Sequence, residues 1–179
     1  MTPSFARRPL PARRLVTLAL LTAMELALSA AESLFPPLLP LPGLKLGLAN
    51  IITLAAFYLL PKKQVLAVVA MRLALAGLVL GSFLTPVFWI SCSGGFLSFT
   101  VMALLSGRRW VSVVGVSQAG AAAHNIGQLL AVYVLLGHQG VFYYLPWLLL
   151  WSVPLGLFTG FSAKLGISAL SKAGFDGKM

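Results

Sequence analysis

The chain has 179 residues, 59% of them hydrophobic and 9% charged, and contains several uninterrupted apolar runs of about 20 residues, the length that crosses bilayer hydrocarbon. These runs take up nearly all of it, which excludes a separate soluble catalytic domain and predicts one polytopic membrane domain. The net charge of +10 fits loop lysines and arginines that orient a membrane chain better than a nucleic-acid-binding face, and the single cysteine, Cys92, excludes a disulfide framework or a CxxC pair.

Six spans are predicted, forming an all-α bundle: Leu15 to Phe35, Leu44 to Leu60, Gln64 to Phe83, Pro86 to Leu105, Val111 to Leu136 and Val141 to Leu165. Breakers separate them: "FPPLLPLPG" after the first, Pro61 after the second, Pro86 before the fourth, Gly107 after it and "GHQG" after the fifth. A basic segment over 1–14 precedes the six-helix domain at 15–165, and a short tail covers 166–179. The second span, about 17 residues, is near the lower limit for crossing hydrocarbon, so the proline-rich loop before it is the expected irregular feature.

Basic residues fix the orientation. Arg7, Arg8, Arg13, Arg14, Lys62, Lys63, Arg108, Arg109, Lys164, Lys172 and Lys178 all fall on one side if six spans alternate, while the opposite loops carry only Lys45 and His138. Both termini are therefore expected in the cytoplasm of a cell-membrane protein, as in a bacterial inner membrane. Tyr143, Tyr144 and Trp147 would form an outer interfacial belt and Trp110 an inner one. The basic start followed by "LVTLALLTAMELALSAAES" also resembles a signal peptide, but Glu25 interrupts the apolar region and the run is long enough to remain as a span.

Within the first span, Ala19, Ala23, Ala27 and Ala31 recur every four residues as a small-residue stripe suited to close helix approach. Glu25, Ser29 and Glu32 lie roughly 160 to 200° away at 100° per residue. A carboxylate facing lipid is expensive, so the polar face should turn into the bundle and leave the alanines for another helix; the alternative is that both faces pack inside one bundle.

Depth, counted at about 1.5 Å per residue, brings Glu25, Arg72 and His124 together near the midplane. Arg72, in "VVAMRLALAGLVLG", needs a carboxylate or a watery cavity, and Glu25 is the natural partner. Glu32, Lys45 and Asn50 form a second, shallower cluster by the proline-rich loop. On the fifth span His124 and Gln128 share a face, with Asn125 about 100° round. These residues are candidates for binding a small molecule, against the simpler roles of interhelical hydrogen bonding and a structural ion pair. Ser93 to Gly95, and Gly156 with Gly160, read as close helix packing rather than a phosphate cradle. The proline-rich loop is most simply a connector, though its length also suits a lid over an outward-facing pocket.

Three stretches carry a family resemblance: "PGLKLGLANIITLAAFYLL" (Pro42 to Leu60), "HNIGQLLAVYVLLG" (His124 to Gly137) and "YYLPWLLLWSVPLGLFTGFSAKL" (Tyr143 to Leu165). They resemble the Gx transporter family, whose members are also labelled heptaprenyl diphosphate synthase component I. That family is similar to the substrate-binding S components of energy-coupling factor (ECF) transporters. The resemblance implies six helices, cytoplasmic termini, an outward-facing small-molecule site, and an alanine motif docking a transmembrane coupling subunit, here matched by Ala19, Ala23 and Ala27. ATPase subunits would be separate chains, since no Walker motif is present.

Prenyl-chain elongation uses clustered aspartates to hold magnesium, and the chain's three acidic residues, Glu25, Glu32 and Asp176, cannot supply them. No enzymatic activity, metal or cofactor is therefore expected. Three functional readings follow: an S-component-like transporter subunit, an accessory protein of polyprenyl or quinone metabolism, and a structural membrane partner.

Overall fold

The computed structural model describes residues 12–34 and 47–172, with the side chains of Arg13 and of residues 170–172 excepted. Lys45, the proline-rich loop, most of the basic N-terminal segment and Asp176 lie outside the described residues. Six α-helices are present among those described: α1 (Ala12–Ser33), α2 (Asn50–Leu59), α3 (Lys62–Val79), α4 (Pro86–Leu105), α5 (Val113–Leu136) and α6 (Leu145–Lys172). A 3-10 helix, Gln139–Tyr144, leads into α6 where the sequence predicts the start of the last span. That last helix also runs seven residues past the expected Leu165.

The breakers act as their chemistry dictates. Pro61 caps α3 and Pro86 occupies the first turn of α4, where a missing N–H costs nothing. Ser112 caps α5 by accepting the Gly115 N–H at 3.1 Å. At its far end Gly137 takes the left-handed φ of 66° and donates to the Tyr133 carbonyl, closing the helix.

Four helical segments are long and apolar enough to cross a bilayer: Arg14–Ser33, Pro86–Leu105, Val113–Leu136 and Gln139–Ala169. The second expected span is shorter than the sequence suggests. Its helix begins only at Asn50, after a turn at Gly47 with φ of 79°, and its ten residues cover about 15 Å, half the hydrocarbon thickness. The third has 18 residues but carries Lys62, Lys63 and Arg72, which removes it from the purely apolar class.

The start of α3 meets the end of α4. Lys62, at the start of α3, donates to the Ala103 carbonyl near the end of α4. Short α2 sits at the centre, touching every other α-helix. Around it Leu18, Leu21, Ala56, Val65 and Val68 form one apolar cluster, and Leu54, Met102, Val116 and Ala163 another. A third, Ile90, Leu129, Val132, Val141 and Leu148, closes the opposite end of α4, α5 and α6.

The two sides of the bundle pack differently. On α1, Leu18, Leu21, Thr22, Glu25, Ser29 and Glu32 are buried, a 3.6-residue pattern, whereas Ala19, Ala23, Ala27 and Ala31 are exposed. Glycines set the α4–α5–α6 side. A Cβ on Gly127 would lie 2.7 Å from the Ser93 carbonyl oxygen and 3.0 Å from Gly94 Cα, and one on Gly156 would lie 2.8 Å from Gln118 Cα. These are backbone-to-backbone approaches that a methyl group prevents. Gly127→Ala should therefore lower thermal stability in detergent by about 1 to 3 kcal/mol through overpacking. Gly166→Ala, in open space on α6, should leave it unchanged or raise it by up to about 1 kcal/mol. Equal effects at the two positions would refute a tight α4–α5 seam.

Candidate functional site

Arg72 is the origin of the site, because a guanidinium on a buried face must be satisfied by the protein itself. Its Nε lies 3.2 Å from Glu25 Oε2, the pairing expected from the sequence, and Nη1 reaches the Ser29 hydroxyl at 3.4 Å. The second carboxylate oxygen, Glu25 Oε1, accepts from the Thr53 hydroxyl at 2.5 Å. Glu25 is 0% exposed and Arg72 7%, so water cannot do this work. Three helices, α1, α2 and α3, are thus joined at one point. From α4, Gly95 leaves room for the guanidinium: a Cβ there would lie 3.2 Å from Arg72 Nη2.

Two helical turns beyond Glu25 on α1, Glu32 Oε1 accepts the Gly47 N–H at 2.5 Å and so holds the turn that starts α2. The Asn50 amide and the His124 ring crowd the same glycine: its Cβ would lie 3.0 Å from Asn50 Nδ2 and 3.4 Å from His124 Cδ2. A cavity of about 20 Å³, room for about one water, opens among Ser29, Glu32, Gly47, Arg72, Ser91 and His124. Phe88 and Gly77 form its apolar wall. The division into a midplane cluster and a separate shallower one does not hold: Glu32, Arg72 and His124 line the same cavity, and Glu25 stands behind Arg72.

Two other candidates lie elsewhere. Asn125 Nδ2 donates to the Leu148 carbonyl at 2.9 Å, tying α5 to α6. Gln128, fully buried, packs against Gly94 in the α4–α5 seam, where a Cβ on the glycine would lie 2.7 Å from Gln128 Cγ. Neither lines the cavity. Lys45 falls outside the described residues.

Thr53, Gly47 and Ser91 belong to the site and escape a sequence reading built on charged and amide side chains. Thr53 carries a usable signal, since it is the one aliphatic hydroxyl in "NIITLAAFYL" of α2 and sits among apolar residues. Ser117 and Thr159, whose hydroxyls meet at 2.7 Å, form a further α5–α6 tie remote from the cavity.

Removing either partner of the buried pair strands the other. Glu25→Gln and Arg72→Met should each destabilise the protein by about 3 to 5 kcal/mol, and the double variant by less than the sum. Thermal unfolding in detergent measures this, and strict additivity would rule out an energetic coupling.

Comparison with curated proteins and with solved structures finds no match. A family model described as heptaprenyl diphosphate synthase component I matches residues 21–165, from the third turn of α1 into the last third of α6, and includes every residue of the polar cluster. With most of the 179 residues matched, the chain belongs to the heptaprenyl diphosphate synthase component I family.

Proposed function

We propose that the protein is an integral membrane small-molecule-binding subunit, comparable to the S component of an ECF transporter, whose energy is supplied by separate coupling and ATPase chains. The observation that carries this reading is the division of labour on α1. One face holds Ser29 and Glu32 at a polar cavity with Glu25 behind Arg72, while the other presents Ala19, Ala23 and Ala27 outward, exposed among the described residues. A bundle needing α1 only for its own stability has no use for an exposed small-residue ridge, whereas lipid and a partner helix both accept one.

In this reading Glu32, Arg72 and His124 contact the ligand, with Asn50 and, from the α1–α2 connection, Lys45. Glu25 positions Arg72, and Asn125 and Gln128 keep α5 in register. A cavity with a guanidinium, a carboxylate and an imidazole suits a polar heterocycle or a quinone-like head group. Admitting one requires the cavity to widen. The α3–α4 connection beside it is the natural place, since Leu84 there holds a left-handed φ of 61° that a branched side chain rarely adopts. In this reading both termini are cytoplasmic and this connection lies outside, which the distribution of basic residues supports.

The family description favours a second reading, an accessory membrane component of polyprenyl diphosphate synthesis. In that case catalysis belongs to a partner, because Glu25 is committed to Arg72 and Glu32 to the Gly47 turn.

Mass spectrometry of small molecules co-purifying with the protein separates these readings from a purely structural role. A retained polar compound, reduced at least about tenfold by His124→Ala or Glu32→Gln without loss of fold, is the expected result. Unchanged retention in both variants would remove the cavity from the function.

The alanine ridge has its own test. Ala23→Trp should abolish co-purification with a membrane partner while leaving the melting temperature in detergent unchanged, because lipid accommodates the ring and a packed helix does not. Loss of thermal stability alongside loss of the partner would place the ridge inside the bundle instead.

A further inference from the structure

A second polar site lies at the opposite end of the bundle from the cavity, where Arg108, Arg109 and Lys164 gather among the described residues. The end of α2, the α4–α5 connection, the first turn of α5 and the last third of α6 border an open concavity of about 470 Å³. Arg108, Arg109 and Lys164 line it together with Tyr58 and Ser112. Gly107, with φ of 87°, reverses the chain directly before the arginine pair. The N-terminus of α5, with its partial positive charge, adds to the same field.

Arg108, Arg109 and Lys164 are exposed, so solvent screens much of their mutual repulsion, and an anion among them would offset the rest. The described carboxylates do not serve: Glu25 is paired with Arg72, and Glu32 holds the Gly47 turn at the far side of the bundle. Topology alone requires that cations lie at this end, not that three of them share one concavity with a tyrosine. The surroundings specify the kind of anion. Trp110 beside the pocket is 79% exposed, as an indole at headgroup depth would be, and Phe161 and Leu165 flank Lys164 with exposed apolar surface along α6. Basic pockets between membrane helices at this depth suit phosphate headgroups.

We propose that this pocket binds the phosphate of an anionic amphiphile, with Arg108, Arg109 and Lys164 around the phosphate and its chains along α6. The site is independent of the small-molecule cavity, so its failure would leave the transporter reading intact.

The test uses the full-length protein in neutral detergent and measures retention of phosphatidylglycerol against phosphatidylcholine with the same chains. Wild type should prefer phosphatidylglycerol, and Arg109→Gln and Lys164→Gln should each weaken retention about fivefold, in keeping with one cation at a headgroup. Lys164→Arg should retain binding, which separates charge from fold. Lys63→Gln removes an exposed cation at the same end that does not line the pocket, and should leave binding unchanged. Absence of lipid preference, or equal weakening by Lys63→Gln, would overturn the proposal in favour of a diffuse basic surface. Inorganic phosphate distinguishes the sources: competition at millimolar concentration identifies phosphate alone as the recognised group, and absence of competition shows that the chains contribute.

Discussion

Hydrocarbon offers a charge no partner, so each charge carried into it must be matched from within the bundle. The Glu25–Arg72 pair is how this fold meets that constraint, and the arrangement of α1, α2 and α3 follows from it. Desolvating two such groups costs several kcal/mol each, which their attraction recovers only when the remaining polar atoms are also engaged. Thr53 and Ser29 supply those contacts from α2 and α1, and Gly95 on α4 gives up a side chain to make space. One ion pair thereby fixes the relative depth of four helices.

The other side of the molecule is held by shape. Gly94, Gly127, Gly156 and Gly160 allow backbones to meet across the α4–α5 and α5–α6 seams, and dispersion over those close approaches replaces the hydrophobic effect that lipid does not provide. The cavity lies where these two modes of packing join, between Arg72 on one side and His124 on the other. Directional contacts on the first side and close-packed backbone on the second give it one adaptable wall and one firm wall.

Much of this was legible in the sequence because membrane constraints are severe. A single intramembrane arginine demanded a carboxylate, and depth counted along α1 and α3 identified Glu25, which the period of α1 turned into the bundle. The same period separated the buried polar face from the exposed alanines. The glycines read as packing residues for the same reason. The helix limits of α4 followed from Pro86 and Gly107, residues with few conformational options. What the sequence hid was set by tertiary geometry. Apolar composition reads the same in a full span and a half-span, so α2 looked longer than its ten residues; its start depends on Gly47 adopting a left-handed turn that Glu32 secures. Counting residues by depth also placed Glu32 and His124 in different layers. The turn at Gly47 brings them to one cavity, a displacement that no linear count contains. Asn125 looked like a cavity residue because helical position gives its direction but not the backbone carbonyl waiting on α6.

The location of the pair on α1 and α3 also bears on how the protein is made. Synthesis delivers the carboxylate first, and the guanidinium only two helices later, after an interval of a few seconds at about 5 to 20 residues per second. Throughout that interval α1 faces lipid with no counter-charge at its centre, a position worth a few kcal/mol against full insertion. Full insertion of the first helix is therefore penalised until the third supplies the counter-charge. The order of synthesis thus couples α1 to α3 energetically, whereas the glycine-seamed helices α4, α5 and α6 carry no such unmatched charge.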